Sequence, residues 1–276
     1  MRDDKQFHPR LLWHLLLIGF VILLLFPIVF AVSNSFKSLQ ESYNNLLGLI
    51  PAQPTFNNYV TVFTTLPMVQ IILNTFIIAT VVTLFKLVTS YLAAYAFSFF
   101  QFRGKIVLYF IFVTTIFVPF TVTMIPNYLI ISKIGLLDSI YGVMLPQLCD
   151  ATGIFLITQA MRGVPRSLIE VSRVDHVSDL GILRDIVFPL TRPAVVCMGI
   201  MFFINSWNEY VWPTLILKDR MNFTLPLILQ MFISSEGGTN FPIAMAISMV
   251  TILIPLILYI FFQRYILNTF SQSGIK

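Results

Sequence analysis

Long apolar runs, separated by short polar breaks, recur from one end of the chain to the other. Six of them, at about 11–32, 68–97, 106–125, 140–161, 194–217 and 243–262, match the roughly 20 residues that a helix needs to cross a bilayer. In hydrocarbon every backbone amide must find its partner within the segment, so runs of this kind become helices. The pattern predicts an all-α integral membrane protein with about six transmembrane helices. A short segment, 1–10, precedes one membrane domain over 11–276, and a polar loop at 162–193 interrupts it.

The first run follows Arg2, Lys5 and Arg10 and has Ala31 and Ser33 near its end, features shared with a secretory signal. Its apolar stretch exceeds the roughly 7 to 15 residues of a signal-peptide core. It is expected to stay as the first transmembrane helix.

The break between the fourth and fifth runs has its own pattern. Residues 167–189 read SLIEVSRVDHVSDLGILRDIVFP, and Glu170, Arg173, Asp175, Asp179, Arg184 and Asp185 crowd into it. Pro165 sets a boundary, because the residue before a proline is pushed out of the helical region. Ser167 and Glu170 stand at the spacing of a capping box, which predicts a helix from about 168 to 175. His176 then breaks the chain. Ser178 is placed to cap a second helix through Leu180, Leu183 and Ile186–Val187, and Pro189 and Pro193 are expected to stop it before the fifth run. Such a helix-turn-helix, charged on one side and apolar on the other, suits docking into a groove on another protein. An amphipathic element lying at the lipid headgroups is the alternative.

Composition agrees with the pattern and charge orients it. The chain is 57% hydrophobic and 11% charged, with a mean hydropathy of +0.86. With the N-terminus inside, the inner segments hold Arg2, Lys5, Arg10, Arg103, Lys105 and most of the other basic residues. The outer ones hold only Lys37, Lys133, Lys218 and Arg220. The positive-inside rule therefore puts both termini and the polar insert in the cytoplasm. The net charge of +5 follows from that topology and does not indicate nucleic-acid binding. The outer segments 33–67 and 218–241 mix polar and apolar residues with Pro or Gly-Gly and look like structured loops.

Candidate chemistry is sparse. Cys149 and Cys197 lie in apolar runs with no metal-ligand spacing and are expected to be small packing residues. His8, His14 and His176 are scattered, without H-E-x-x-H or G-x-S-x-G, which argues against a membrane enzyme. Gly104-Lys105 lacks the rest of a phosphate loop, so ATP is not bound in that way. Lys86 lies too deep in the second run to snorkel. It either pairs with a carboxylate between helices or meets an anionic or hydroxyl-rich substrate. With Asp150 and Glu209 it is also what an ion-coupled transporter would use, although no repeat symmetry accompanies them. Ser90, Ala93, Ala94 and Ala96 allow close helix packing. Asn205, Trp207, Asn208, Glu209 and Tyr210 combine hydrogen-bonding groups with aromatic faces, as sugar sites do and as interfacial aromatic belts also do.

At the insert the chain resembles a known family. Glu170-Val171-Ser172-Arg173-Val174-Asp175-His176, followed by Ile186-Val187-Phe188-Pro189, is similar to the E-A-A-x-x-x-G-x(9)-I-x-L-P signature of binding-protein-dependent ABC importer permeases. SYLAAYAFSFFQFRGK, IPNYLIISKIGLLDSIYGVMLP, NSWNEYVWP and FFQRYILNTFSQSGIK resemble the sugar-uptake branch, which includes the second membrane subunit of the maltose transporter. Val171 and Ser172 stand where the family has alanines. His176 stands where it has a glycine that tolerates positive φ.

The resemblance implies a type I importer permease fold whose cytoplasmic coupling helix fits a cleft on an ATPase. Glu170, Val171, Ser172, Arg173, Asp175, His176, Ile186 and Pro189 would be the coupling residues. It implies a second homologous permease subunit, two copies of a cytoplasmic ATPase that bind the ATP and Mg, and an extracytoplasmic solute-binding protein. This chain itself would hold no cofactor and no metal, would catalyse nothing and would sit in a bacterial or archaeal cytoplasmic membrane. Lys86, Asn205, Trp207, Asn208, Glu209 and Tyr210 are the pathway candidates. Ser235, Glu236, Gly237, Gly238 and Thr239 would touch the binding protein, as a scoop-like loop does in the maltose system. The expected cargo is a sugar or oligosaccharide, with glycerol 3-phosphate or another polyol phosphate as runner-up because a cation at Lys86 would favour a phosphate.

Overall fold

The computed structural model describes residues 7–234 and 240–273, and every regular element among them is helical. The chain divides into two units, each described by itself. One takes in the chain up to Met68 with Ile228–Ile254, the other Val69–Leu227 and the chain from Pro255.

In the first unit, α1 (Phe7–Ser35) is apolar over more than five turns and leaves those side chains exposed, as a helix does when lipid or another subunit covers it. Two short helices follow, α2 (Leu39–Asn44) and α3 (Asn57–Thr65). The loop between them wraps around Lys37, which is fully buried. Its ammonium donates to the carbonyls of Asn45 at 2.8 Å, Leu46 at 3.3 Å and Gly48 at 2.6 Å, so all three N–H groups are satisfied.

The second unit opens with α4 (Met68–Phe99), a continuous helix long and apolar enough to span a membrane. The third expected span, 106–125, is instead two helices, α5 (Lys105–Thr115) and α6 (Phe120–Lys133), bent by 97°. Pro119, extended at ψ 141°, stands at the break, whereas Pro126 lies inside α6 without ending it. The fourth is also a bent pair, α7 (Ile140–Met144) with a 3₁₀ turn (Leu145–Gln147) and α8 (Ala151–Arg162), at 45°. Counting each bent pair as one span gives up to six spans among the described residues. Cys149, expected to pack, is exposed in the second break.

The insert supplies α9 (Arg166–Val174) and α10 (Asp179–Ile182), and a π turn (Leu183–Val187) leads directly into α11 (Phe188–Trp207). Pro189 and Pro193 do not stop this helix. In the π turn the Phe188 amide bonds the Leu183 carbonyl, and the wider turn accommodates the Pro189 ring at the start of α11. After a break at Asn208–Tyr210 come α12 (Val211–Ile216), a 3₁₀ turn (Arg220–Asn222) and α13 (Leu225–Ser234). The chain closes on α14 (Phe241–Ser273).

The core of the second unit joins Ala94 and Tyr95 of α4, Ile157 and Met161 of α8, Ile169 of α9, Ile182, Leu183 and Val187, and Met198 and Phe202 of α11. Gly153 permits a close approach of α8 to α4 and α11. A methyl there would overlap the Phe202 ring and the Ser90 hydroxyl. The insert is therefore packed into the helical body along one face.

Candidate functional site

On α9 only Ile169 is buried, and burying it contributes roughly 1.5 to 3 kcal/mol. It pins one face of the helix and turns the rest outward. Val171 at 60% and Val174 at 77% exposure, with Leu180 at 72%, present apolar surface that no described residue covers. Glu170 stands beside them, exposed, with no hydrogen bond or ion pair among the described residues. The capping box does not form. Pro165, with φ fixed at −59°, occupies the cap position, so the helix starts two residues early and Ser167 falls inside the first turn.

The turn after α9 follows the sequence. His176 takes φ 57°, the left-handed conformation a glycine would favour, and its amide bonds the Arg173 carbonyl at 3.1 Å. Val177 N–H reaches Ser172 O at 3.0 Å, and Ser178 accepts from Gly181 N–H at 3.2 Å as the next cap.

Asp179, which the sequence marked only as a charge, holds the turn together. Its Oδ1 accepts from Arg173 Nη2 at 3.0 Å and from the Tyr95 hydroxyl at 3.1 Å. The Arg173 guanidinium also lies 5.4 Å from the Phe100 ring centre. These contacts tie the end of α9 to the end of α4. Ile186 is half-buried beside the core, Ser172 is half-buried with its hydroxyl on Leu168 O at 2.7 Å, and Pro189 and Asp175 are exposed.

Lys86 resolves to its paired reading. Its Nζ is 3.4 Å from Asp150 Oδ2 and 5.4 Å from the centre of the Phe202 ring. Asp150 Oδ1 meanwhile caps α8 by accepting from Gly153 N–H at 2.9 Å. The pair links α4 to the break before α8.

The 205–210 group separates. Trp207 is fully buried and stacks on Phe203 at 5.7 Å between ring centres, so its face is not open to a sugar. Glu209 Oε1 accepts from the amides of Val211 at 2.8 Å and Trp212 at 3.1 Å and so caps α12. Asn208 bonds back to Ile204 O at 2.9 Å. Asn205, Asn208 and Tyr210 remain exposed. The five candidates over 235–239 lie outside the described residues.

Sequence reasoning missed Asp138. At φ 55° its N–H donates to Ile216 O at 2.8 Å, and its Oδ1 accepts from Lys218 N–H at 2.9 Å and Asp219 N–H at 3.0 Å. Asn222 Nδ2 reaches its carbonyl at 2.7 Å and its Oδ1 at 3.2 Å. The two backbone amides, Lys218 first, hold this carboxyl below the ordinary carboxylate range. Asn74 of α4 adds bonds to Met221 O at 2.8 Å and Phe223 O at 3.2 Å, and the Thr75 hydroxyl accepts from Leu225 N–H at 2.9 Å. The root of segment 218–241 is thereby fixed to α4 and to the loop before α7. An Asp in a G-L-L-D-S turn was the available signal, since Asp tolerates positive φ.

Comparison with known proteins gives one consistent answer. A family described as "Binding-protein-dependent transport system inner membrane component" matches residues 86–270. The arabinooligosaccharides transport system permease protein AraQ of Halalkalibacterium halodurans is 30% identical over 278 residues, 99% of each chain. The sn-glycerol-3-phosphate transport system permease protein UgpE of Rhizobium meliloti is 28% identical over 278 residues, 98% of this chain and 99% of its own. A chain of a bacterial ABC transporter involved in import of the acidic polysaccharide alginate superposes with TM-score 0.82 at 25% identity, over 96% of this chain and 98% of that one. A second chain, from the alginate transporter in complex with its alginate pentasaccharide-bound periplasmic protein, gives 0.66 at 16% identity over 99% and 98%, a likeness of fold.

Proposed function

The chain belongs to the binding-protein-dependent transport system inner membrane components, and from that membership we propose that it forms one membrane half of an ATP-driven importer for a sugar or oligosaccharide. It is a non-catalytic permease subunit. Its proposed partners are a second, homologous permease, two copies of an ATPase that hold ATP and Mg on the cytoplasmic side, and a solute-binding protein on the other. Both termini face the cytoplasm of a bacterial or archaeal cell in this reading, which the distribution of Lys and Arg supports.

One observation carries the coupling role: among the described residues α9 is packed on one face and uncovered on the other, with Glu170 unbonded and Val171 and Val174 exposed. A segment built this way accepts a groove and passes its displacement inward. Ile169 touches the core that Ile182, Leu183 and Val187 share with α4, α8 and α11. The left-handed His176 keeps the turn that the family builds with glycine.

Oligosaccharide is favoured as cargo by the AraQ-like and alginate-importer relatives. The glycerol-phosphate permeases among the relatives support the second reading. Lys86 no longer does, because Asp150 neutralises it. The proposal also places segment 235–239 against the binding protein, so shortening 234–240 should leave assembly intact and weaken transport.

The test is reconstitution of the chain with its partners in liposomes. Uptake should require ATP, the ATPase and loaded binding protein, and uptake by the chain alone would refute the proposal. Titrating the partner binding protein with a panel of oligosaccharides and with glycerol 3-phosphate decides the cargo.

A further inference from the structure

Three cations gather where α5, α8 and α9 meet. Lys105 opens α5, Arg162 closes α8 and Arg166 opens α9. Lys105 stands one turn before Tyr109 on α5, and Arg166 follows Arg162 by four positions across the short turn from α8 to α9. Arg162 is held in place, its guanidinium 5.2 Å from the centre of the Tyr109 ring of α5, while Gln159 one turn back donates to the Tyr109 hydroxyl at 3.2 Å. Lys105 Nζ donates to Phe100 O at 2.7 Å. The ion pairs among the described residues are Lys86 with Asp150, Arg173 with Asp179 and Arg184 with Asp185, so none of the three cations has a carboxylate at ion-pair distance.

Like charges brought together without a counter-ion repel, and an anion seated among them relieves that repulsion. The surface below the cations says which kind. Ile106 at 84%, Val107 at 63%, Phe110 at 66% and Ile111 at 52% exposure follow Lys105 down α5 at helical spacing. A phosphate with attached acyl chains fits both parts, whereas an acidic protein surface would leave the apolar strip uncovered. We propose that Lys105, Arg162 and Arg166 seat the phosphodiester of an anionic phospholipid whose acyl chains lie along this face of α5. The site uses the end of α8 and the start of α9, so a bound lipid would brace the hinge from which the insert projects.

The test titrates the full chain in detergent micelles with dioleoyl phosphatidylglycerol or dioleoyl phosphatidylcholine and reads retained lipid by native mass spectrometry. The wild-type chain should retain phosphatidylglycerol about tenfold more tightly. The Lys105→Gln/Arg162→Gln/Arg166→Gln variant should lose that preference, and Arg162→Lys should keep it. Arg166→Gln alone alters only an exposed residue outside the buried core and should reduce the preference roughly twofold, which separates lost binding from lost folding. Equal retention of the two lipids by the wild-type chain overturns the proposal. A phosphatidylglycerol preference unchanged in the triple variant also overturns it and leaves the cations to an acidic protein. Displacement of the lipid by millimolar inorganic phosphate would mark a free-phosphate site and overturn it as well.

Discussion

At its Asn74 end α4 is tied to its neighbours through backbone groups, and at its Tyr95 end through side chains. Met221 O, Phe223 O and Leu225 N–H fasten the first end, and Asp138 ties the same loop to the segment before α7 by five bonds, four of them involving backbone groups of its partners or itself. The other end adds to its apolar packing only the contacts among Tyr95, Arg173 and Asp179, with the two charged side chains 40% and 47% exposed. An ion pair so exposed is worth at most about 1 kcal/mol. The two ends stand about 30 Å apart on one continuous helix at 1.5 Å per residue. One end is fastened to backbone groups, and the other leaves Glu170, Val171 and Val174 open among the described residues, where the proposed ATPase would dock.

The largest effect should come from between the ends. Lys86→Met leaves Asp150 unpaired in a mostly buried site and should cost about 3 kcal/mol. The thermal unfolding midpoint in detergent should fall, and adding Asp150→Asn should restore part of it. Full stability in the single variant would mean the pair does not join α4 to the break before α8.

Next comes Asp138→Ala, expected to lower stability by about 2 kcal/mol, against less than about 1 kcal/mol for Asp179→Ala. The reverse order would break the contrast between the ends. Acid sharpens it. A carboxyl held low on folding adds stability that is fully present above its unfolded value, near pH 4, and is lost as the pH falls through the folded value. The wild-type midpoint should therefore drop below pH 4 more steeply than that of Asp138→Asn, and parallel acid curves would contradict the clamp. The smallest effect is His176→Gly, which removes the strain of a side chain at positive φ and should raise stability by up to about 1 kcal/mol without loss of coupling.

The apolar runs made the helices legible because in lipid length and apolarity decide the matter before any tertiary contact forms. The turn at His176 was legible because D-H-V-S ends one helix and caps the next locally. The breaks were not. Pro119 marks one while Pro126, Pro189 and Pro193 sit in helices, since a π turn or a neighbouring helix can satisfy what a proline leaves open. Ser167 looked like a cap because the spacing was right, but Pro165 had already fixed the start. Asp138 was invisible because its partners lie some eighty positions away and are mostly backbone groups, which carry no residue signature. Lys86 could be read only as paired or free until the fold brought Asp150 to it.

The open side of α9 is proposed to receive the ATPase, and Glu170 tests this most directly because it bonds nothing among the described residues. In the assembled transporter Glu170→Ala should leave the unfolding midpoint of the chain unchanged. It should lower ATP hydrolysis stimulated by loaded binding protein about tenfold, the effect of losing one charged hydrogen bond at a buried contact. Glu170→Gln, which keeps the shape and removes the charge, should fall between the two. Stimulated hydrolysis at the wild-type level in Glu170→Ala, with the ATPase still bound, would contradict the account.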